Sequence, residues 1–294
     1  MKTLQAAVAY VLWGIFPVYW KMLGSVDPSA VICHRILWSL LTLAVCVQLF
    51  RQWSDIRGAV RDFRRLGLSV VAALLISTNW LVFIWAVQHG AVVESSLGYF
   101  INPLLNVLLG VLLFSERLSK MQWLAVIVAA VGLCIMTVSS GRVSWIALTL
   151  ASTFAFYAVV KKKTSLPAVA GLGLETAVLA IPALGFLAWH HTTTGQWESP
   201  GMLALLVLAG PITTLPLVLF ASAAKSVPLV SMGLLQYIAP SLQFIIGIAL
   251  YKEPVDAWKL TGFLCVWLAL AILSAHAVSI ARARSRSDSA LKSV

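Results

Sequence analysis

Long apolar runs dominate the chain, and short polar segments separate them. A helix of about 20 residues crosses the hydrocarbon core of a bilayer, and each run has close to that length. The pattern therefore predicts an all-α integral membrane protein with ten transmembrane helices. The predicted helices are 3–22, 29–50, 66–88, 95–115, 119–139, 143–160, 168–189, 201–222, 228–250 and 258–278.

The fourth and ninth runs share a further pattern, because one proline interrupts each of them and a glycine and a glutamate follow at the same spacing. The matched pairs are Pro103 with Pro240, Gly110 with Gly247, and Glu116 with Glu253. Matched hydrophobic segments that are interrupted in corresponding halves are typical of transporters built by duplication. We therefore predict two repeats of five helices each, over residues 1–141 and 142–280.

The composition agrees with a membrane protein, since 61% of the residues are apolar and only 11% are charged. Soluble domains average about a quarter charged residues. A net charge of +11 would suggest a nucleic-acid partner in a soluble protein. Here the basic residues lie in alternate loops, which is a signal of membrane topology. The predicted partners are therefore the lipid bilayer and a small solute, with no nucleic acid.

The distribution of lysine and arginine predicts the orientation. If the N-terminus is cytoplasmic, sixteen basic residues lie on the cytoplasmic side and four on the outer side. Cytoplasmic loops collect positive charge, so both termini are predicted to be cytoplasmic. An odd number of helices in each repeat then inverts the second half relative to the first. The basic segment 281–294 is too polar to be buried and is predicted to be a disordered cytoplasmic tail.

Ionisable side chains inside membrane helices are costly to bury, so each should face a cavity or a partner. Lys21 and Arg35 lie near the outer ends of the first two helices. They are predicted to recognise a carboxylate or phosphate of the substrate, although Lys21 is also suited to a role as an interfacial anchor. His34 and Glu94 lie at a similar depth and are predicted to form a gate, in which Glu94 pairs with Arg35 or His34.

The two matched prolines predict broken helices that act as hinges. Pro103 and Pro240 each remove a helical hydrogen bond near the middle of the membrane. Backbone groups freed in this way are tolerated only where protein or a wet cavity satisfies them. For Asn79, a hydrogen bond between helices is an equally open alternative to ligand contact. The predicted substrate-binding residues around the breaks and on the third helix are Asn79, Trp80, Tyr99, Asn102, Asn106, Gln236 and Tyr237.

Glu175 lies about two turns into the seventh helix from the cytoplasmic side. Because burial favours the neutral form of a carboxyl group, Glu175 is the predicted proton-coupling residue, or a ligand for a substrate amine. The alternative is a structural partner for Tyr157 or Lys161. The sequence contains no nucleophile elbow, zinc-binding motif or phosphate-binding loop, so we predict no enzymatic activity, metal or cofactor.

Several stretches together resemble the RarD group of EamA-type transporters, in the drug/metabolite transporter superfamily, along essentially the whole chain. They are PVYWKML, ICHRILWSL, TNWLVFIWAV, ESSLGYFINPLLNVLLG, FSERLSKMQWLAV, LETAVLAIP, TLPLVLFASAAK and GLLQYIAPSLQF. The resemblance implies a multi-pass carrier of the cell inner membrane with a central cavity between its halves. The helices implied to line that cavity carry Lys21, Arg35, Asn79, Asn102, Glu175 and Gln236.

The sequence therefore predicts a secondary active transporter that moves a small metabolite or drug-like solute by alternating access. The basic residues Lys21 and Arg35 favour an anionic or zwitterionic solute, because they repel cations. Two alternatives remain. The first is a multidrug exporter of apolar cations, which the aromatic residues would suit, and the second is a membrane receptor or scaffold without transport.

Overall fold

The computed structural model is described for residues 2–114, 119–140, 144–164, 166–195, 198–224 and 235–291. Within these ranges the chain is almost entirely helical and contains no strand. The helices are α1 (Lys2–Met22), α2 (Pro28–Leu49), α3 (Trp53–Arg61), α4 (Phe63–Gln88), α5 (Val92–Phe114), α6 (Lys120–Ser140), α7 (Trp145–Lys163), α8 (Ala168–Thr194), α9 (Pro200–Ala224), α10 (Ile238–Ile245), a π-helix (Ile246–Leu250) and α11 (Ala257–Leu291).

Each predicted apolar run is helical over most of its described residues. Among the described residues, six helices are long and apolar enough to cross a membrane. They are Lys2–Met22, Pro28–Leu49, Phe63–Gln88, Ala168–Thr194, Pro200–Phe220 and Ala257–His276. Shorter apolar helical stretches lie at Lys120–Met136, Trp145–Lys161 and Ile238–Leu250.

Helix α3 was not predicted, because it lies in a polar segment rather than in a long apolar run. Its first turn carries Asp55, and its last turn carries Arg61, which suits the helix dipole at both ends. Ala59 is buried, and Ile56 packs against the main core. The helix is therefore amphipathic, with one side against the bundle and a polar side away from it.

The last helix corrects one prediction. Helix α11 continues without a break to Leu291, whereas residues 281–294 were expected to be disordered. The segment from 281 to 291 is rich in alanine and arginine, which are strong helix formers, and it contains no glycine or proline. Propensity of this kind lets a polar segment extend a helix that has already begun in the membrane.

The two predicted breaks differ from each other. The backbone of α5 is helical through Pro103, so the break expected there is not present. The side chain of Pro103 lies outside the described residues. In the second half a turn at Tyr237 precedes α10, and Pro240 lies in the first turn of that helix. A proline is tolerated at that place because the first N–H groups of a helix have no helical acceptor.

Close packing of backbones joins the helices of the bundle. Helix α6 packs against α11, α2 packs against α8 and α9, α7 packs against α4 and α5, and α1 packs against α9 and α10. A Cβ atom added to Gly132 would lie 2.7 Å from the Cβ of Cys265 and 2.8 Å from the carbonyl oxygen of Gly262. Small residues at this crossing therefore allow α6 and α11 to touch, as is common for helices in membranes.

Hydrogen bonds tie one end of the bundle together, where α1 and α4 end and α5 and α11 begin. We call it the Lys21 end. The Nζ of Lys21 donates to the carbonyl oxygens of Val87 at 3.1 Å and Gln88 at 3.0 Å. The Nε2 of Gln88 donates in turn to the carbonyl oxygen of Leu23 at 2.9 Å. Lys21 thus satisfies the last carbonyl groups of α4, which have no helical donor.

Glu253 adds a contact between the two sequence halves at this end. One carboxylate oxygen accepts a hydrogen bond from the N–H of Val92 at 2.7 Å, and the other accepts from the N–H of Val93 at 2.8 Å. A carboxylate at the first turn of a helix satisfies free donors and suits the helix dipole. Glu253 therefore caps α5 from a loop that lies some 160 residues further along the chain.

We predict that Glu253→Gln lowers the free energy of unfolding by about 1–3 kcal/mol, because glutamine has one acceptor oxygen for two N–H groups. Thermal unfolding in detergent measures this as a lower midpoint temperature. Asp256→Asn is the matched control, since Asp256 caps α11 through the N–H of Lys259 at 2.7 Å. Asparagine caps helices equally well, so its midpoint should not change. Equal shifts in both variants would contradict the prediction.

Candidate functional site

A cavity of about 450 Å³ lies inside the bundle, between residues of both sequence halves. A volume of this order accommodates a small organic molecule. Aromatic side chains form much of its wall, namely Tyr10, Trp13, Phe16, Trp80, Phe83, Tyr99, Phe154, Tyr157 and Phe220. Its polar side chains are few, and they are Arg35, Asn79, Asn102, Lys161, Thr213, Gln236 and Gln243. The lining is therefore mostly apolar, with a small set of polar groups that can orient a ligand.

Arg35 on α2 is the charged residue that stands out in this lining. Its guanidinium carbon lies 3.9 Å from the ring centroid of Trp80 and 4.9 Å from that of Trp20. Arg35 is only 3% exposed, its Nε has no hydrogen-bond partner, and no described carboxylate pairs with it. Indole faces attract a cation but carry no charge of their own. The positive charge of Arg35 is therefore not neutralised by an acidic side chain of the described residues.

Lys161, the other charged residue of the lining, is paired. Its Nζ lies 2.6 Å from one carboxylate oxygen of Glu175, and the hydroxyl of Tyr157 donates to the other oxygen at 2.9 Å. Glu175 is 2% exposed and is not part of the cavity lining, whereas Lys161 is. The structure thus contains the partners that the sequence offered as the structural alternative for Glu175. The pair contributes no net charge to the cavity when both groups are ionised.

Asn79 on α4 is fully engaged within the protein. Its Nδ2 donates to the carbonyl oxygen of Leu150 at 2.8 Å and to the hydroxyl of Thr153 at 2.9 Å. Its Oδ1 accepts from the hydroxyl of Tyr99 at 3.0 Å. These bonds link α4 to α7 and α5, so the hydrogen bond between helices that was one of the two alternatives for Asn79 is present.

Asn102 on α5 lines the same cavity, but unlike Asn79 its side chain makes no hydrogen bond to the described part of the protein. The residue is fully buried, and neither its Nδ2 nor its Oδ1 has a hydrogen-bond partner. Buried amides in proteins are nearly always satisfied, so an unpartnered one requires an explanation. The cavity itself supplies one, because a bound molecule can approach both atoms.

Gln243, one of the amides near Pro240 in the sequence, also lines the cavity, and Pro17 explains how its side chain is held. Pro17 has no N–H, so the carbonyl oxygen of Trp13 one turn earlier lacks its helical donor. The Nε2 of Gln243 donates to that oxygen at 3.2 Å, which leaves the Oε1 of Gln243 without a partner. A Cβ on Gly14 would lie 2.7 Å from Leu242, so the glycine allows α10 to approach α1 this closely.

The other predicted binding residues divide into two groups. Trp80, Tyr99, Gln236 and the hinge residue Pro240 line the cavity. Lys21 does not line it, because its ammonium group binds the carbonyl groups at the end of α4. Tyr237 also lies outside the lining and packs against a separate apolar cluster. The side chain of Asn106 is outside the described residues.

The predicted gate pairs are not formed. The carboxylate of Glu94 accepts a hydrogen bond from the hydroxyl of Ser144 at 2.8 Å, at the start of α7. His34 is half-buried on α2. The guanidinium of Arg35 is held between two indoles, so it is not available at the position of Glu94. The gate residues are therefore near the Lys21 end but have other neighbours than those expected.

A bundle of apolar helices around a solute-sized cavity defines a multi-pass membrane protein with an internal cavity. The model of the EamA-like transporter family matches residues 2–138. The chain is 43% identical to the transporter YojE of Bacillus subtilis, with 95% of each chain covered. It is 41% identical to the protein RarD of Streptomyces exfoliatus, covering 97% of this chain and 92% of that one. The chain belongs to the RarD group of EamA-type transporters.

A further relative agrees with this assignment and confirms the resemblance seen in the sequence, and a solved structure shares the fold. The protein RarD of Escherichia coli is 39% identical, with 96% of this chain and 97% of the relative covered. One protein crystal structure is 16% identical and superposes with a TM-score of 0.60 over 95% of this chain and 98% of that one. At that identity the likeness shows a shared fold and nothing more.

The two asparagines of the cavity give a prediction about stability. Asn79→Leu should lower the free energy of unfolding by about 1–3 kcal/mol, because it removes the three hydrogen bonds of a buried amide, including the one from the half-buried Tyr99. Asn102→Leu removes an amide that makes no hydrogen bond, so its unfolding midpoint should stay the same or rise. Thermal unfolding of both variants in detergent is the measurement. Equal losses would mean that Asn102 has a structural partner.

Proposed function

We propose that the protein is a secondary active transporter of the cell inner membrane that carries a small anionic or zwitterionic solute by alternating access. Arg35 is the observation that carries this proposal. A buried cation in a membrane protein requires a partner. The described residues around Arg35 supply aromatic faces but no acid. The anionic group of the solute is the partner that completes the site.

The charges of the lining disfavour an exporter of apolar cations. Lys161 is neutralised by Glu175, so Arg35 sets the net charge of the described lining. A cationic solute would be repelled by that charge in a surrounding of low polarity. The aromatic walls would still contact the apolar body of an anionic solute, and they contribute affinity through buried area.

The pattern of helix contacts supports two inverted repeats of five helices. We assign α1, α2, α4, α5 and α6 to the first repeat and α7, α8, α9, α10 with its π-helix, and α11 to the second. Exchanging the two repeats swaps α1 with α7, α2 with α8, α4 with α9, α5 with α10, and α6 with α11. The contact of α4 with α7 then becomes the contact of α9 with α1, and the contact of α5 with α7 becomes the contact of α10 with α1. The pairs α2 with α8, α5 with α10, and α6 with α11 map onto themselves.

A twofold relation between the halves leaves the set of helix–helix contacts unchanged in this way. The proposal therefore includes two repeats of five spans each. Both termini are proposed to be cytoplasmic, as the distribution of basic residues predicts. The family model also matches residues 2–138, which end close to the predicted boundary at residue 141. Prolines 103 and 240 remain the proposed hinges between the moving parts.

The arrangement of the two ends supports alternating access. The hydrogen bonds of Lys21 and Glu253 hold the Lys21 end together. The cavity lining extends away from that end, towards Lys161 near the end of α7 and Ala168 at the start of α8. With cytoplasmic termini, the cavity lies on the cytoplasmic side of the closed end. Transport then requires the contacts of Lys21 and Glu253 to break while the opposite end closes.

A series of probes that share one body tests the charge preference. Phenylacetate is anionic, phenylglycine is zwitterionic, phenylacetamide is neutral and phenethylamine is cationic. We expect the purified protein to bind phenylacetate or phenylglycine most tightly. Arg35→Gln should weaken that binding by about tenfold to a hundredfold, the value of a hydrogen bond to a charged group. Arg64→Gln is the control, because Arg64 is exposed at the start of α4.

The same variants distinguish a transporter from a receptor. Proteoliposomes with the native protein should accumulate radiolabelled phenylacetate faster than protein-free vesicles, and Arg35→Gln should abolish the difference. Binding without flux under any gradient would favour the receptor. Tightest binding of phenethylamine, or binding unaffected by Arg35→Gln, would overturn the proposed anion site.

We propose Glu175 as the proton-coupling group, since protonation would release Lys161 into the cavity. Removing one partner of a buried ion pair costs about 3–5 kcal/mol, whereas replacing both by apolar residues is often neutral. Glu175→Gln should therefore lower the unfolding midpoint, and the double variant Lys161→Met/Glu175→Met should restore it. Uptake of phenylacetate by the double variant should no longer depend on a pH gradient. A retained dependence would show that another group carries the proton.

A further inference from the structure

We infer that the cavity contains an uncharged donor–acceptor subsite, formed by Asn102 and Gln243, and that the transported solute carries an amide group besides its anionic group. The inference rests on the proposed anion site at Arg35, and it adds a second point of recognition. Its basis is a pair of buried side-chain amides that the protein positions in the cavity lining and does not satisfy.

The unpaired atoms of Asn102 define the chemistry of the missing partner. Its Oδ1 needs a donor, and its Nδ2 needs an acceptor. A carboxylate offers acceptors only, and an ammonium group offers donors only. An amide offers an N–H donor and a carbonyl oxygen acceptor, which are the two kinds of partner that the unpaired atoms of Asn102 and Gln243 require.

The comparison with Asn79 shows that the protein can satisfy an asparagine in this lining, and that it does not do so for Asn102. Both asparagines are buried and line the same cavity. Asn79 makes three hydrogen bonds to protein groups, whereas Asn102 makes none among the described residues. A side chain that is buried without partners destabilises the empty protein, and a ligand that supplies them recovers that free energy on binding.

Gln243 adds an acceptor whose position is fixed. Its Nε2 is held by the carbonyl oxygen of Trp13, so its Oε1 is free to accept a hydrogen bond and cannot easily turn away. Helix α10, which carries Gln243, packs against α5, which carries Asn102. A side chain held by a second contact in this way is preorganised for binding.

The subsite lies within reach of Arg35. Arg35 stacks on Trp80, the residue after Asn79, and Asn79 accepts a hydrogen bond from Tyr99, which precedes Asn102 by three residues on α5. Three residues of helix advance about 4.5 Å along the axis. The structure therefore favours a solute whose anionic group and amide group are separated by only a few atoms, with an apolar body against the aromatic wall.

Three monoanions of the same length test the inference. Hippurate contains an amide, 3-benzoylpropionate replaces the N–H by a methylene group, and 4-phenylbutyrate lacks the carbonyl group as well. We expect the native protein to bind hippurate about tenfold more tightly than 4-phenylbutyrate, with 3-benzoylpropionate between them. An apolar cavity without a polar subsite would give the reverse order, because 4-phenylbutyrate is the most hydrophobic of the three.

Asn102→Leu should remove the preference for hippurate or reverse it, while its unfolding midpoint shows that the variant is folded. Ser39→Ala is the matched control, because Ser39 is also buried and unpartnered but does not line the cavity. Its order of affinities should be that of the native protein. Gln243→Met is a second variant, and it should also reduce the ratio of the affinities for hippurate and 4-phenylbutyrate.

The outcomes separate this inference from the proposed function. Arg35→Gln should weaken all three ligands by the same factor and leave their order unchanged. If it does so but the native protein prefers 4-phenylbutyrate, the amide subsite is wrong and the anion site stands. If Arg35→Gln changes none of the affinities, the anion site fails first. A preference for hippurate that survives Asn102→Leu would overturn the assignment to Asn102.

Discussion

The cost of a polar group inside an apolar bundle is the constraint on which the structure depends. A charged or hydrogen-bonding group that leaves water must find a partner within the protein or lose several kcal/mol. Three ionisable side chains meet this requirement with protein groups. Lys21 binds free carbonyl groups of α4, Glu253 binds free N–H groups of α5, and Glu175 binds Lys161 and Tyr157. The contacts of Lys21 and Glu175 each join one helix to another, and the contact of Glu253 joins a loop to α5.

The same constraint makes the unsatisfied groups informative. Arg35 and Asn102 are as deeply buried as Glu175 and Asn79, and both line the cavity. A bundle that satisfies Asn79 with three hydrogen bonds can position partners where folding requires them. The proposed function explains the unpartnered groups of the lining as stability given up for binding, as is usual at functional sites.

Apolar runs predicted the helices well, because a bilayer leaves little choice of backbone structure. Helix α3 and the end of α11 were not predicted, because neither is a long apolar run. Amphipathicity stabilises α3, and helix propensity stabilises the end of α11. The cost of burying a polar group predicted that Arg35 and Asn102 face a cavity, and both side chains line one. The contacts of Lys21 were not predicted, because its partners are backbone carbonyl groups more than sixty residues away, which no side-chain pattern reveals.

The aromatic surroundings of Arg35 explain how a charge is kept both stable and available. An acidic partner would stabilise the guanidinium but would also neutralise it, and a solute would then have to compete with that acid. The indoles of Trp20 and Trp80 attract the guanidinium through the faces of their rings and fix its plane. They offer no oxygen to its N–H groups. The charge is thus held in place while its hydrogen bonds remain for a ligand, which a site that must bind and release its solute requires.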